Sequence, residues 1–414
     1  MAEVTLGAVP FDEAINHFRG KLNLPTEFWD QITGQAHAKG FTVAGATKAD
    51  LLNDMRSLVD DAIANGTSIT EFRKGFDAAV AKHGWSYKGK RGWRTRVIYD
   101  TNLRTAHAAG RWQQSQRMKI RRPYGQYQTV GDGKVRPQHA AWDGLVFLLD
   151  DIWWQTHYPP NDFGCRCFMR TLSQRQLEKK GLTVSNAPPL ELTERINTRT
   201  GEVYGEVPKG IGVGWDYNVG KAWLGPDIAF GETLLQMPTA LRNTALSGAR
   251  DLVPHLEQDF APWANSLLTR KQPLGEIKTA GYLSPAVIDG LAAKDVAPTT
   301  AVVTVTDKEI MHMLRGSKDG RHIPADMVRA LPLHMNDANA VLFDKRNSAL
   351  LYVFDVPGDD KRGKLVVKVN FKTKARANDG GRHSVQTNTV RTGGLVHAYN
   401  LKDRKFYEVL EGSL

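Results

Sequence analysis

The sequence predicts an α+β protein: a mainly helical N-terminal region with an irregular His/Cys module, then a small C-terminal domain of helix plus antiparallel sheet. Three patterns carry this. Apolar residues recur at helical spacing from Phe11 to Met118. The stretch 134–170 loses that period and is rich in Trp, Pro, Asp, His and Cys. Beyond Ala301 short apolar runs alternate in the manner of strands.

Taken in order, Phe11-Asp12-Glu13 opens a helix carrying Ala14, Ile15 and Phe18. Leu51, Leu52, Met55, Leu58, Val59 and Ile63 fall three and four apart, and Gly66 ends their helix. Ser68 starts another through Phe72, Phe76 and Val80, and Gly84 stops it. Trp93 to Met118 is a long basic helix with Arg94, Arg96, Arg104 and Arg111. Tyr124 to Val130 alternates as a strand and turns at Gly131-Asp132-Gly133. Residues 184–226, rich in Gly, Pro and Asn, read as an extended arm packed on the module, and 227–270 returns to helix. Ala301 to Thr306 is a strand, and Asp307 begins a helix through Leu314. Ala340–Phe343, Ala349–Val356, Leu365–Phe371 and Val385–Arg391 are further strands. The expected division is 1–120 helical, 121–230 module and arm, 231–270 helical linker, and 271–414 the α+β domain.

Length and composition fit two or three ordinary globular domains. The net charge is +11 and the pI about 9.5. The excess is clustered: Asp100 is the sole acid between Lys88 and Arg122, and there is none from Lys361 to Asn378. Clustered cations favour a polyanion, nucleic acid first. The two cysteines sit one residue apart, a spacing that strains a disulfide, so a reduced site of synthesis in the host cytoplasm is expected. The N-terminus lacks the basic and apolar segments of a signal peptide, and no apolar run approaches a membrane span.

Chemistry concentrates in the module. His139, His157, Cys165 and Cys167 place two imidazoles and two thiols within about thirty residues, the ligand types that Zn²⁺ takes in structural sites. The expectation is one structural zinc on His139, Cys165 and Cys167, with His157 or Asp143 as fourth ligand. A loop-rich module gains stability from such a clamp.

The run RPQHAAWDG, DDIWW and YPPNDFGCRC, with FDEAINHFRGK, FTVAGATKADLL and GTSITEFRKGFD before it and GVGWDYNVGKAWLGPD after it, resembles the phage Mu F-like head-morphogenesis family. The resemblance spans about residues 10–230. It implies a minor head protein made in the host cytoplasm and carried in the virion in a few copies. It would sit near the portal or inside the shell, have portal and capsid proteins as partners, and be needed for head assembly. It also implies that His139, Cys165 and Cys167 fall at positions suspected of binding metal.

In the C-terminal domain, His312, Arg315 and Lys318 gather at a helix end. Alternation in Leu365–Phe371 places Leu365, Val367, Val369 and Phe371 on one face and cations on the other. Lys364, Lys368, Lys372, Lys374 and Arg391 are the expected nucleic-acid contacts, to packaged DNA or host RNA. VTVTDKEIMHMLRGSKDG, the strand order and VQTNTVRTGG resemble nuclease-like domains grouped with barnase, EndoU, colicin and RelE-type toxins. That resemblance implies RNA cleavage without a metal cofactor, by attack of the substrate's own 2′-hydroxyl. His312 would be the acid or base, Arg315 and Lys318 would stabilise charge, and Thr387 or Thr389 would donate to phosphate. Competing readings are a purely structural virion protein whose basic C-terminus binds nucleic acid without cutting it, and a free cytosolic toxin-like nuclease.

Overall fold

The computed structural model describes residues 10–32, 34–197, 200–224, 227–270, 272–314, 322–376 and 382–414. The chain divides into two units, Met1–Leu224 and Gly225–Leu414.

In the first unit, α1 (Asp12–Arg19) starts on Asp12 and Glu13 and ends on His17 and Arg19, charges that complement the helix dipole. Two short parallel strands follow, β1 (Leu22–Asn23) and β2 (Gly40–Phe41). Helix α2 (Ala49–Asn65) ends at Gly66, whose φ of +71° is left-handed and suits glycine. Helix α3 (Ile69–His83) is capped by Ser68, whose hydroxyl accepts from the Glu71 amide at 3.3 Å. Helix α4 (Arg91–Met118), 28 residues and about 42 Å long, is the spine. Phe18, Phe41, Leu52, Met55, Phe72, Phe76 and Ile98 pack one core among these elements.

The module builds a second core. It contains β3 (Tyr124–Gln128), α5 (Pro137–Trp142), β4 (Val146–Leu148), α6 (Trp153–His157), β5 (Phe168–Leu172) and α7 (Gln174–Lys179). The three strands form an antiparallel sheet in the order β4-β3-β5. Aromatic residues replace aliphatic periodicity here: Trp112, Tyr127, Trp142, Phe147, Trp153 and Trp154 interlock. The arm expected at 184–226 contains a hairpin, β6 (Leu192–Ile196) with β7 (Val203–Pro208), and α8 (Val219–Leu224), which packs on α4.

The second unit opens with α9 (Ile228–Gln236), α10 (Thr239–Ser247) and α11 (Val253–Arg270). Strands and helices then mix: β8 (Ile277–Tyr282), α12 (Pro285–Ala292), β9 (Val302–Thr306), α13 (Asp307–Leu314), α14 (Ala325–Arg329) and α15 (Leu331–Asn336). Five strands complete it: β10 (Ala340–Asp344), β11 (Ala349–Asp355), β12 (Arg362–Arg376), β13 (Arg382–Val396) and β14 (Tyr407–Gly412). The seven strands form one sheet in the order β14-β10-β11-β12-β13-β9-β8, antiparallel except for the β13–β9 pair. The α+β class stands. Residues 231–270, expected as a linker, are helices of this unit: α11 packs on α13, α15 and β8.

Strand β12 is irregular at its centre. Its register against β13 shifts between Val366 and Val367 and again between Lys368 and Phe371, and Asn370 takes a φ of +54°. An extra residue breaks the two-residue period of a strand. Leu365 and Val367 before the second shift and Ala375 after it are buried, and Lys372 and Lys374 are exposed. No helix among the described residues is long and apolar enough to cross a membrane.

Candidate metal centre

Helix α5 begins with Pro137 at its first turn, where a missing N–H costs nothing. Two residues on, His139 is buried and stacked on Trp142 at 5.3 Å and 17°. Its Nε2 donates to the Gly210 carbonyl at 2.9 Å. That bond fixes the tautomer and leaves Nδ1 as an acceptor, the arrangement common behind metal-bound histidines. Gly210 has φ +90°, and a Cβ there would lie 2.4 Å from Gln138 Cγ, so the close approach needs glycine.

His139 Nδ1 lies 3.7 Å from Cys165 Sγ and 3.6 Å from Cys167 Sγ. A tetrahedral Zn²⁺ with ordinary bond lengths separates sulfur and nitrogen ligands by about 3.6 Å. The ligand atoms of the three residues all lie within 4.8 Å of one another, and both cysteines are free thiols. The donor set, its spacing and the aromatic shell around it fit zinc.

The cysteine loop is held from outside. Arg104 donates to the carbonyls of Gly164 and Cys165 at 3.2 and 2.8 Å. Arg136 donates to the Phe163 carbonyl at 2.9 Å and pairs with Asp162 at 3.1 Å. Arg166, between the cysteines, makes a two-bond pair with Asp132, both at 2.6 Å. The hydrogen bond from Cys167, aided by His139, holds Cys165 well below the ordinary thiol range, while the same bond and burial push Cys167 up. Tyr127, whose hydroxyl donates to Asn161 Oδ1 at 3.0 Å, is raised by burial and by both sulfurs. Beside the thiols runs a cleft of about 1030 Å³ lined by Arg104, Arg111, Arg122, Arg170 and the exposed Phe168.

His157 stands outside the three-residue group. Its Nδ1 is 2.8 Å from the Thr156 hydroxyl and its ring is stacked on Trp153 at 4.6 Å. Burial lowers its pKa to about 4, a neutral imidazole inside an aromatic box. Asp143 is also committed elsewhere, accepting from the Thr129 amide at 2.6 Å. The described geometry thus offers three protein ligands. Tyr127, Asn161 and Gly210, which support them, carry no sequence signal that spacing reveals.

The C-terminal candidates fare differently among the described residues. His312 is exposed on α13. Arg315 and Lys318 lie outside the described residues. Thr387 and Thr389, expected to face phosphate, are fully buried, each hydroxyl 3.5 Å from that of Thr304 on β9. Both faces of β13 are covered there, so the alternation that suggested an open face is masked by burial on either side. Arg391 pairs with buried Glu309 at 2.5 Å and lies 4.2 Å over the Phe371 ring. Lys368 donates to the Asn347 carbonyl, and Lys364 is half-buried. Lys372 and Lys374 are exposed.

Three comparisons bear on this arrangement. The model of the family described as phage Mu protein F like matches residues 53–170, from α2 to β5, and so contains His139, Cys165 and Cys167. A protein of Escherichia phage Mu, provisionally named capsid assembly protein F, is 32% identical over 419 aligned residues, covering 94% of this chain and 93% of its own. The F protein of the Mu-like prophage FluMu in Haemophilus influenzae is 31% identical over 319 residues, covering 70% of this chain and 76% of its own. No solved structure matches. The likeness to the phage Mu protein reaches well into the second unit.

Proposed function

The chain belongs to the phage Mu F-like family, and from that premise we propose that it is a capsid-assembly protein, acting in head morphogenesis beside the portal and carried in the virion. The observation that carries this is the extent of likeness to the phage Mu protein, which takes in nearly the whole of both chains. A protein sharing both units with a capsid-assembly protein is expected to share its task. Purified particles should contain the chain after high-salt washing, and a phage lacking its gene should yield few filled heads. Full heads formed at normal number without the protein would remove the assembly role.

Within that role the first unit is a docking scaffold. His139, Cys165 and Cys167 would hold one Zn²⁺, which when bound cross-links α5 to the loop before β5. Nε2 of His139 keeps the ring aimed, while Arg104, Arg136 and Arg166 hold the loop and favour thiolate over thiol. Nucleic acid, packaged DNA first, is the proposed polyanion partner. Lys372 and Lys374 are exposed in the second unit, and the cleft of the first carries Arg111 and Arg170.

For the second unit, binding without cleavage has better support than ribonuclease action. The burial of Thr387 and Thr389 withdraws both hydroxyls expected to donate to phosphate, and Arg391 is paired with Glu309. His312 remains an exposed imidazole that a nuclease could employ.

A further inference from the structure

A separate cavity of about 450 Å³ opens in the first unit, away from the thiols, where α4 meets the segment around β2 and the loops that carry Phe163 and Trp215. Its walls are aromatic. Phe163 packs edge-on against Trp29 at 6.0 Å and Trp215 at 5.2 Å, and Trp93 closes another side. Three of these rings stay open to solvent: Trp93 is 59% exposed, and Trp29 and Phe163 38% each. Single exposed apolar residues need no explanation, but a cluster around one cavity marks a surface that something covers. Large aromatic anchors around a pocket are also where binding energy concentrates at protein interfaces.

Two cations line the same cavity, Lys21 and Arg94, and no Asp or Glu does. Lys21 is 4% exposed, and its Nζ donates to the His37 carbonyl at 2.8 Å. Burial and the nearby Arg56 hold this amine at about 7. Arg94 donates through one terminal nitrogen to the Ala44 carbonyl and lies 5.4 Å over the Trp85 ring, but its Nε is buried with no hydrogen-bond partner. A buried cation ordinarily sits against a carboxylate, because leaving it uncompensated is costly. Here two donors of positive charge share an apolar cavity that supplies no negative one.

We infer that this cavity receives the C-terminal residue of a partner protein chain, a bulky apolar side chain lodged among Trp93, Phe163 and Trp215 with its free carboxylate on Lys21 and Arg94. The apolar walls fix the side chain, the two cations require the carboxylate, and the exposed rims of Trp29 and Trp93 give the preceding residues of the partner a surface to cover. A small free ligand would fill the cavity yet leave those rims bare. The cavity volume is that of one large side chain with its terminal carboxylate and neighbours, within the usual range of ligand pockets. The inference extends the assembly role by naming a recognition site but does not depend on it.

The test uses the full chain and a fluorescein-labelled Gly-Gly-Leu-Phe peptide, with a free C-terminus in one arm and a C-terminal amide in the other. Anisotropy should show the acid binding at least about tenfold more tightly than the amide, the difference that one charge-assisted hydrogen bond makes. Lys21→Met should erase that preference, and Trp93→Ala should weaken both peptides while leaving the preference. Val97→Trp, which fills the cavity from α4, should block both and provides an independent check if Lys21→Met does not fold. Equal affinity for acid and amide, a preference that survives Lys21→Met, or binding undiminished in Val97→Trp would each overturn the inference. So would the absence of binding by either peptide. Loss of this binding in a variant that still assembles heads would leave the family-based role intact.

Discussion

His139 commits its Nε2 to Gly210 and turns its remaining lone pair toward two sulfurs, 3.6 and 3.7 Å away. That lone pair and the two sulfurs are the ligand types of a structural zinc site. Chain purified without chelator should therefore hold about one zinc, read by elemental analysis, and Cys165→Ser or His139→Ala should bring it well below one and lower the melting temperature. His157→Ala should disturb the aromatic box and cost stability without releasing metal, because its ring belongs to Trp153 and Trp142. Stoichiometric zinc retained in Cys165→Ser would refute the site. Lys21 offers a second residue-level test, in stability. Its amine titrates near 7 in the folded protein and near 10.5 when unfolded. Between those values the unfolded chain binds the extra proton, so this residue's contribution to stability rises with pH across that window and is flat below it. Urea midpoints should show Lys21→Met losing that rise relative to the parent chain. Parallel pH profiles for the two proteins would contradict it.

At the level of elements, the loop after β7 decides whether α5 can deliver its histidine. Gly210→Ala must relieve a 2.4 Å approach to Gln138 and a φ of +90°, so the loop moves and the Nε2 bond is strained. Loss of a supporting partner of this kind typically weakens metal binding by about 10- to 100-fold. Competition with a chelating dye should show that shift, with the Gly205→Ala variant as a control, since nothing lies within 4 Å of its Cβ although its φ is also positive. The same contrast explains what was legible in the sequence. Helices α2 and α3 announced themselves because burial on one side leaves a periodic stripe and Gly66 and Gly84 mark their ends. The thiols and His139 were legible because two cysteines in 414 residues lie one apart. His157 was misplaced as a ligand because proximity in sequence does not tell a metal-facing ring from one stacked on Trp153. The break in the β12 ladder was hidden for a different reason: an extra residue sits near Asn370, and no local pattern announces it. Strands β8 and β14, at the two edges of the sheet, pass unnoticed because Ile277–Tyr282 and Tyr407–Gly412 mix glycine, lysine and glutamate into short runs.

At the scale of the whole molecule, the alignment with the phage Mu protein extends well into the second unit, so that unit is part of what the family shares. Its sheet spends the groups that might have done chemistry on holding itself together. Thr387, Asn388 and Thr389 are buried against β9, with Asn388 donating to the carbonyls of Thr300 and Val302 at 2.8 and 3.0 Å. Arg391 offsets the buried Glu309, whose pKa burial raises. A phosphate donor must reach solvent, and Thr387 and Thr389 do not. What remains on the surface includes the charge of Lys372 and Lys374 and the exposed His312. Full-length chain should accordingly bind RNA and DNA with an affinity that falls as salt rises, and should release no 2′,3′-cyclic phosphate ends from RNA in EDTA. Lys372→Ala and Lys374→Ala should each weaken binding and reduce the salt slope by about one, whereas His312→Ala should leave affinity nearly unchanged, because a neutral imidazole adds little attraction for phosphate. EDTA-resistant cleavage that disappears in His312→Ala would reverse this reading and restore the ribonuclease. Thr387→Val then separates the two by a different route. A buried threonine with only 3.5 Å contacts to Thr304 contributes about 1 kcal/mol to stability and nothing to nucleic-acid affinity, while a donor to phosphate would lose binding and turnover without loss of fold.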